Sequence, residues 1–282
     1  MKVLSNDNME QAVDKAQIGE MSFWEHLDVL RASLIKIAIA TVLCGIVAFL
    51  FKEEVFSIIL APKSDTFITY RLFSHIAEWT TGAGNPTFFV QLINTGLAEQ
   101  FVIHMKTSVC IGFLLSSPYT LYLLFHFISP ALYENERKYS LRVVSSGYAM
   151  FILGVLLSYF LIFPLTFRFL GTYQVSSDVA NMITLQSYIG TLMMMCILMS
   201  IVFELPVLCW LLGKLGILSA GFMRRFRKHS VIVILIISAI ITPTSDIFTL
   251  SLVALPIWML YEVSIIIVRK SEKGNNHNNI TI

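Results

Sequence analysis

Acidic side chains near the start of the chain have the chemistry to bind a cationic ligand. Glu25 and Asp28 fall on one face of a predicted helix, while apolar residues form a stripe on another face. Ser22 and Glu25 have the spacing of a capping box, and Asp28 is close enough to Arg31 to form an ion pair. This pattern predicts an amphipathic helix at the inner membrane surface that turns into the first span. It would serve either as an interfacial anchor or as an acidic patch facing a cationic ligand.

Other carboxylates lie within or beside long apolar runs. Glu204 is followed closely by Pro206, which removes the hydrogen bond to the carbonyl of residue 202 and predicts a local kink. A carboxylate in hydrocarbon is costly, so it marks either a functional or partner-binding position or a protonated group hydrogen-bonded inside the protein. Glu262 lies closer to the inner interface, where we expect a structural role. Asp246 precedes the last apolar run and could cap the helix there, because acidic side chains suit helix N-termini.

The remaining reactive side chains do not form a catalytic or metal-binding set. The four cysteines fall inside apolar runs without a CxxC pair, which favours buried apolar side chains over a disulfide or metal framework. The histidines do not cluster with cysteines or carboxylates at ligand spacing, and the sequence has no Walker loop, GxSxG or HExxH motif. A net charge of +2 argues against a general nucleic-acid binder. We therefore predict a protein that is not an enzyme and needs no cofactor or metal.

The composition places these residues in a membrane protein. Of the 282 residues, 56% are hydrophobic and only 13% are charged, and the mean hydropathy is +0.74. A soluble domain carries roughly a quarter charged residues. A water-facing surface cannot be built from so few charges, so lipid must cover much of the chain.

Apolar runs long enough to cross a bilayer predict an all-α membrane protein with six transmembrane helices. The predicted spans are 33–52, 108–129, 144–170, 188–213, 230–242 and 248–268. The run 230–242 is short for a span and could be a buried core helix, but the flanking charges require a crossing there. We treat 21–270 as one membrane domain between a flexible cytoplasmic tail, 1–20, and a polar cytoplasmic tail, 271–282.

Basic residues between the spans set the predicted orientation. The segments after spans two, four and six are rich in arginine and lysine, whereas those after spans three and five carry few. The positive-inside rule places the rich segments in the cytoplasm. With six spans, the N- and C-termini are then both cytoplasmic and the long first loop, 53–107, is external.

Several motifs, in order along the chain, resemble landmarks of the TatC family. HLDVLR at 26–31 resembles the family's HLxELR signature, and FISPALYENER at 127–137 resembles its first cytoplasmic loop. FELP at 203–206 resembles its fourth span, and ITPTSD at 241–246 resembles its short last external turn. One such motif would be weak evidence, but their order over about 22–268, on spans of matching orientation, makes the resemblance strong.

The resemblance implies a function in protein transport and a concave bundle with a long first external loop. TatC proteins lie in the bacterial cytoplasmic (inner) membrane and bind signal peptides that carry two consecutive arginines. With TatA/TatB-type single-span subunits, they move folded proteins across the lipid bilayer on the proton-motive force. The resemblance also implies self-association in a multimeric receptor complex.

The resemblance assigns roles to individual residues. An arginine guanidinium makes forked, charge-assisted bonds to carboxylates, so a receptor for paired arginines needs carboxylates on its cytoplasmic face. Glu136 occupies the family's key loop position. The predicted signal-peptide site comprises Glu25, Asp28, Arg31, Phe127, Glu136 and Arg137. The predicted intramembrane polar or partner-binding residues are Glu204, Pro206, Thr242, Asp246, Ser251 and Glu262.

The chain departs from the family pattern at two positions. The glutamate of HLxELR falls on Val29, which cannot bind a guanidinium, so Asp28 or Glu25 would have to supply the second carboxylate. Neighbours on a helix differ in direction by about 100°, so neither points in quite the original direction. A glutamine in the family's last span falls on Leu250, which leaves Ser251 as a weak donor nearby.

Three other functions compete with this prediction. A proton-coupled small-molecule transporter, the main alternative, would use Glu204 and Glu262 as relay groups. Such transporters often have internal repeats and paired broken helices, and the sequence shows neither. A membrane-embedded enzyme needs a nucleophile–base or metal constellation, which is not visible. A structural scaffold would leave the cytoplasmic motifs unexplained.

Overall fold

The structure is a computed structural model that describes residues 23–81, 90–128, 140–176, 178, 181–242 and 246–278. Within these residues, five helical segments are long and apolar enough to cross a membrane. They are Trp24–Leu50, Glu99–Ile128, Val143–Thr172, Leu185–Lys214 and Ile247–Glu272. This confirms the predicted class, an all-α membrane protein.

The helices are numbered here in chain order. They are α1 (Phe23–Leu50), α2 (Lys52–Leu60), α3 (Ile68–Thr81), α4 (Glu99–Ile128), α5 (Ser140–Leu157), α6 (Phe163–Thr172), α7 (Leu185–Val202), α8 (Leu205–Lys214), α9 (Ala220–Arg225), α10 (Arg227–Ile241) and α11 (Ile247–Asn278). A 3₁₀ turn, Ala61–Lys63, follows α2, and a π-helical turn, Ser158–Ile162, joins α5 to α6. Two short strands, β1 (Leu92–Ile93) and β2 (Ile183–Thr184), pair in parallel with Leu92 opposite Ile183.

The first and last spans differ from their predicted bounds. Helix α1 runs without a break from Phe23 to Leu50, so the acidic residues lie on the first turns of the span rather than on a separate interfacial helix. The stretch contains no proline and one glycine, so nothing in it ends a helix. Helix α11 continues to Asn278, so the predicted polar tail, 271–282, begins as helix.

The fifth predicted span, 230–242, forms part of α10. This helix has 15 residues, which correspond to about 22 Å. The hydrocarbon core of a bilayer is about 30 Å thick, so α10 is shorter than the other five candidate spans. The six-span count and the cytoplasmic placement of both termini stay predictions.

Helices α1 and α4 run antiparallel, as two ring contacts show. His26 at the start of α1 stacks on Phe127 at the end of α4, with ring centroids 4.1 Å apart. Phe49 at the end of α1 stacks on His104 near the start of α4, also at 4.1 Å. We call the end of the bundle that contains His26 and Phe127 the motif end.

Small residues let the spans approach closely. A Cβ added to Gly112 in α4 would lie 2.5 Å from the Thr41 carbonyl oxygen and 2.6 Å from the Gly45 nitrogen in α1. A Cβ added to Gly154 in α5 would lie 2.8 Å from the Ser200 Cα in α7. Helices in lipid gain no hydrophobic driving force from meeting each other, so close van der Waals contact at small residues holds them together.

The loop between α1 and α4 packs on a kink in the third span. Pro164 has no N–H to donate to the Phe160 carbonyl, and the Thr69 hydroxyl donates to that carbonyl instead. The Tyr70 hydroxyl lies 3.0 Å from the Pro164 carbonyl oxygen and 3.1 Å from that of Pro62. Burial raises the pKa of Tyr70, so its hydroxyl keeps its proton and acts as the donor.

Candidate functional site

The first part of the candidate site lies where α1 begins and α4 ends. The His26 ring stacks on the Phe127 ring with an interplanar angle of 22°. Helices α2 and α3 separate these two residues along the chain. The contact therefore places His26, the first residue of HLDVLR, beside Phe127, the first residue of the other motif from which the signal-peptide site was predicted.

The carboxylates of α1 lie on the first two turns of that helix. The side chains of Glu25 and Asp28 are both exposed, and three-residue spacing keeps them on one side of the helix. The Arg31 side chain is exposed as well, and the ion pair that its spacing from Asp28 allows does not form in the described structure. An exposed pair gains little energy and loses side-chain entropy, which explains why both groups point to solvent instead.

Glu136 and Arg137 fall outside the described residues, since they belong to the stretch 129–139. Along the chain, this stretch follows α4, which ends at Ile128, and precedes α5, which begins at Ser140. The predicted roles of Glu136 and Arg137 therefore stay predictions.

The second part of the candidate site is a break in the fourth span. Helix α7 ends at Val202 and α8 begins at Leu205, with Pro206 in its first turn. Because proline has no N–H, it cannot bond to the Val202 carbonyl. The Glu204 carbonyl instead accepts the first hydrogen bond of α8, from the Val207 amide at 3.0 Å. The helix is therefore interrupted at Phe203 and Glu204, where the sequence predicted a local kink.

The Glu204 carboxylate faces a cavity of about 220 Å³ enclosed mainly by α4, α5, α7 and α8. Its Oε1 atom is buried and lacks a hydrogen-bond partner in the described structure, as does the Thr120 hydroxyl that lines the same cavity. The other lining side chains are mostly apolar and include Phe113 and Phe151. An unsatisfied buried polar group costs about 1–3 kcal/mol, so a polar group entering this cavity would gain by bonding to these atoms.

Glu262 has a partner within the chain. Arg227 Nη2 at the start of α10 donates to Glu262 Oε2 in α11 at 2.6 Å. The two side chains are 50% and 27% exposed. The ion pair ties α10 to α11 and agrees with a structural role for Glu262.

The remaining predicted polar residues lie around the start of α11. Asp246 caps this helix, because its Oδ2 atom accepts the Thr249 amide at 2.8 Å and its carboxylate also accepts the Thr249 hydroxyl. The buried Thr242 hydroxyl donates at 3.0 Å, and the exposed Ser251 hydroxyl at 2.6 Å, to a carbonyl one turn earlier. All three side chains thus form local hydrogen bonds, and those of Asp246 form the predicted helix cap.

The structure places the predicted residues in separate groups rather than in one site. The carboxylates of α1 and Phe127 lie at the motif end. Glu204 lies inside the bundle, about 15 Å along the helix axis from the end of α8. Asp246 and its neighbours start α11, where Phe248 packs on Phe169 of α6 with centroids 4.5 Å apart.

Three contributing residues were not singled out from the sequence. Thr120 and Gly147 line the cavity at Glu204, and a Cβ at Gly147 would lie 3.1 Å from Glu204 Oε2, but no motif marks either position. His26 is different, since it opens the HLDVLR motif and could have been identified there. Its ring contact with Phe127 depends on the packing of α1 against α4.

Comparisons with known proteins cover most of the chain. The family model for Sec-independent protein translocase protein (TatC) matches residues 25–256. The TatC protein of Blattabacterium sp. subsp. Periplaneta americana is 36% identical over 258 residues, which are 90% of this chain and 97% of that protein. TatCy of Bacillus subtilis is 29% identical over 265 residues, which are 93% of this chain and 95% of that protein.

The fold matches a solved structure as well. A crystal structure of the twin arginine translocase receptor TatC aligns with a TM-score of 0.71 and 30% identity over 88% of this chain and 100% of that chain. These relatives are named as translocase components rather than as enzymes. Sequence, fold and family model agree, and the chain belongs to the TatC family of Sec-independent protein translocase proteins.

Proposed function

We propose that this chain is the core receptor subunit that binds twin-arginine signal peptides at the cytoplasmic face of the bacterial inner membrane. The stacking of His26 on Phe127 is the observation that carries the proposal. It holds the acidic start of α1 beside the end of α4, from which the chain continues to Glu136. In this proposal the carboxylates of α1 and of Glu136 meet at one end of the bundle, as a ligand with two adjacent arginines requires.

The chemistry of the ligand suits these groups. A guanidinium stays charged and donates two parallel hydrogen bonds to one carboxylate. Glu136 would bind one arginine, and Asp28 or Glu25 would bind the other in place of the family glutamate at Val29. Each contact would contribute about 1–3 kcal/mol when shielded from water and less when exposed.

The cavity at Glu204 supports a second binding surface inside the membrane. A polar group on a TatA/TatB-type single-span helix, or on an inserted signal peptide, would pair with the Glu204 and Thr120 oxygens that lack partners in the described structure. Pro206 has no N–H, so it keeps the helical hydrogen-bond pattern interrupted at this point. The accompanying partner-binding residues in this proposal are Thr242, Asp246, Ser251 and Glu262.

The proposed assembly transports folded proteins across the membrane on the proton-motive force. Residues 21–270 form one six-span domain with both termini in the cytoplasm, and several copies associate in the receptor complex. The basic segments after spans two, four and six support this orientation.

A crosslinking experiment tests the receptor proposal. A peptide with two adjacent arginines and a photoreactive group is added to membranes that contain the protein, and a twin-lysine peptide serves as the ligand control. We expect a crosslink with the twin-arginine peptide that Glu136→Gln removes and that the matched variant Glu134→Gln in the same loop retains. Equal labelling by both peptides, or equal loss in both variants, would contradict the proposal. The transporter alternative predicts no specific crosslink.

A further inference from the structure

The segment between α8 and α10 carries charges that signal-peptide binding does not use. It carries Arg224 and Arg225, and it is flanked by Lys214 at the end of α8 and by Arg227 and Lys228 at the start of α10. No acidic residue occurs between Glu204 and Asp246. A cationic leader peptide would be repelled by this segment, so its charges call for a partner of the opposite sign.

One face of α9 is fixed against α11. The side chains of Ala220 and Met223 are each 4% exposed and pack on α11. The Ala220 amide donates to Glu272 Oε1 at 2.8 Å, and the Tyr261 hydroxyl donates to the Met223 carbonyl at 2.8 Å. These contacts hold α9 in one orientation and so determine which of its side chains point outward.

The large exposed side chains on and directly after α9 are aromatic and basic. Phe222 and Phe226 pack together with ring centroids 4.5 Å apart and are 54% and 38% exposed. Arg224 and Arg225 are also exposed, and neither forms an ion pair in the described structure. Arg227 differs, because Glu262 already neutralises it. We call Phe222, Arg224, Arg225 and Phe226 the outer face of α9.

The position of α9 limits the kind of partner that can bind its outer face. Helix α8 ends a full-length candidate span, and α10 begins directly after α9. The short segment between them therefore stays at the boundary between membrane and water. Aromatic rings favour the headgroup layer of that boundary, and guanidinium groups bind phosphates through paired hydrogen bonds.

We propose that the outer face of α9 docks on anionic phospholipids, with Phe222 and Phe226 in the headgroup layer and Arg224 and Arg225 on the lipid phosphates. Charge complementarity favours an anionic partner, and attachment to two adjacent helices of the bundle keeps the face at the lipid surface. The docking is independent of the proposed signal-peptide site and orients the bundle against the surface of the leaflet.

Native mass spectrometry of the purified full-length protein tests this docking. The protein is titrated in detergent with phosphatidylglycerol and, in parallel, with phosphatidylcholine, and bound lipids are counted. We expect preferential retention of phosphatidylglycerol, and the double variant Arg224→Gln/Arg225→Gln should weaken it by about 5-fold per arginine, or about 25-fold in total. Phe222→Ala should weaken retention of both lipids.

A matched variant removes the same charge elsewhere. Lys52→Gln/Arg71→Gln changes two exposed basic residues of α2 and α3, and it should retain phosphatidylglycerol as the unmodified protein does. Equal binding of the two lipids, or equal loss in the two double variants, would overturn the proposal. If Arg224→Gln/Arg225→Gln keeps its phosphatidylglycerol but loses a crosslink to an acidic protein, the face serves a protein partner and the lipid proposal is wrong.

Discussion

The Glu204 carboxylate lies against Gly147, and the missing side chain at that glycine makes room for it. A Cβ at Gly147 would lie 3.1 Å from Glu204 Oε2, which is tighter than an ordinary van der Waals contact. The carboxylate is thereby directed at the cavity it shares with Thr120. The packing around Glu204 therefore holds in place a buried carboxylate whose Oε1 atom lacks a hydrogen-bond partner in the described structure.

Replacing the Glu204 carboxylate should leave the stability of the protein intact and weaken its binding to a partner subunit. Glu204→Leu removes a buried, unsatisfied polar group, so the protein should unfold at the same or a higher temperature in detergent. The same change should lower copurification of a single-span partner at least 5-fold, whereas Glu204→Gln, which keeps hydrogen-bonding atoms, should lose less. Partner recovery that is unchanged in Glu204→Leu would show that the cavity does not bind the partner.

The ring contact at the motif end should affect peptide binding. A stacked aromatic pair contributes about 0.5–1.5 kcal/mol beyond its buried area. His26→Ala should therefore weaken twin-arginine peptide crosslinking by up to about 10-fold, because the start of α1 is no longer held beside Phe127. His26→Phe preserves a ring and should retain most of the binding. Equal loss in the two variants would assign the effect to the imidazole itself.

The carboxylate that replaces the family glutamate can be identified by single substitutions. Asp28 is exposed and forms no ion pair with Arg31. Asp28→Asn should therefore reduce twin-arginine crosslinking by about 3- to 10-fold, as expected for one partly exposed charge contact. Glu25→Gln is the comparison. If neither change reduces crosslinking, α1 supplies no second carboxylate.

Two glycines in the spans should respond in opposite ways to the same substitution. Gly112→Ala places a Cβ against backbone atoms of α1, so it should destabilise the protein by about 1–3 kcal/mol. Gly190→Ala meets open space, so it should be neutral or stabilise the protein by up to about 1 kcal/mol through helix propensity. Thermal unfolding in detergent measures both. Equal effects would mean that α1 and α4 do not cross at Gly112.

The Arg227–Glu262 ion pair should be detectable as a coupling between α10 and α11. For a pair this exposed, we expect a coupling energy of about 0.2–1 kcal/mol. A double-mutant cycle with Arg227→Gln and Glu262→Gln measures it from unfolding temperatures. The swap Arg227→Glu/Glu262→Arg should recover part of the stability that Arg227→Glu loses. Additive single effects would show that the two charges act independently.

The membrane class, the long spans and two local features could be predicted from the sequence. Hydropathy and run length are properties of a continuous stretch, so they identify spans without knowledge of their neighbours. The helix break before Pro206 and the cap at Asp246 depend on residues within one turn of each other, so they too were predictable. The sequence did not predict that α1 is one continuous helix, because its acidic first turn favours a separate interfacial helix.

Only the tertiary structure decided which residues meet across helices. In lipid, the faces that contact protein and the faces that contact acyl chains are both apolar, so periodicity does not distinguish them. The stacking of His26 on Phe127, the shared cavity of Thr120 and Glu204, and the anchoring of α9 on α11 all depend on that choice of faces. The sequence alone determined that the chain is an α-helical membrane protein with TatC-family motifs, and helix packing decided where its polar groups come together.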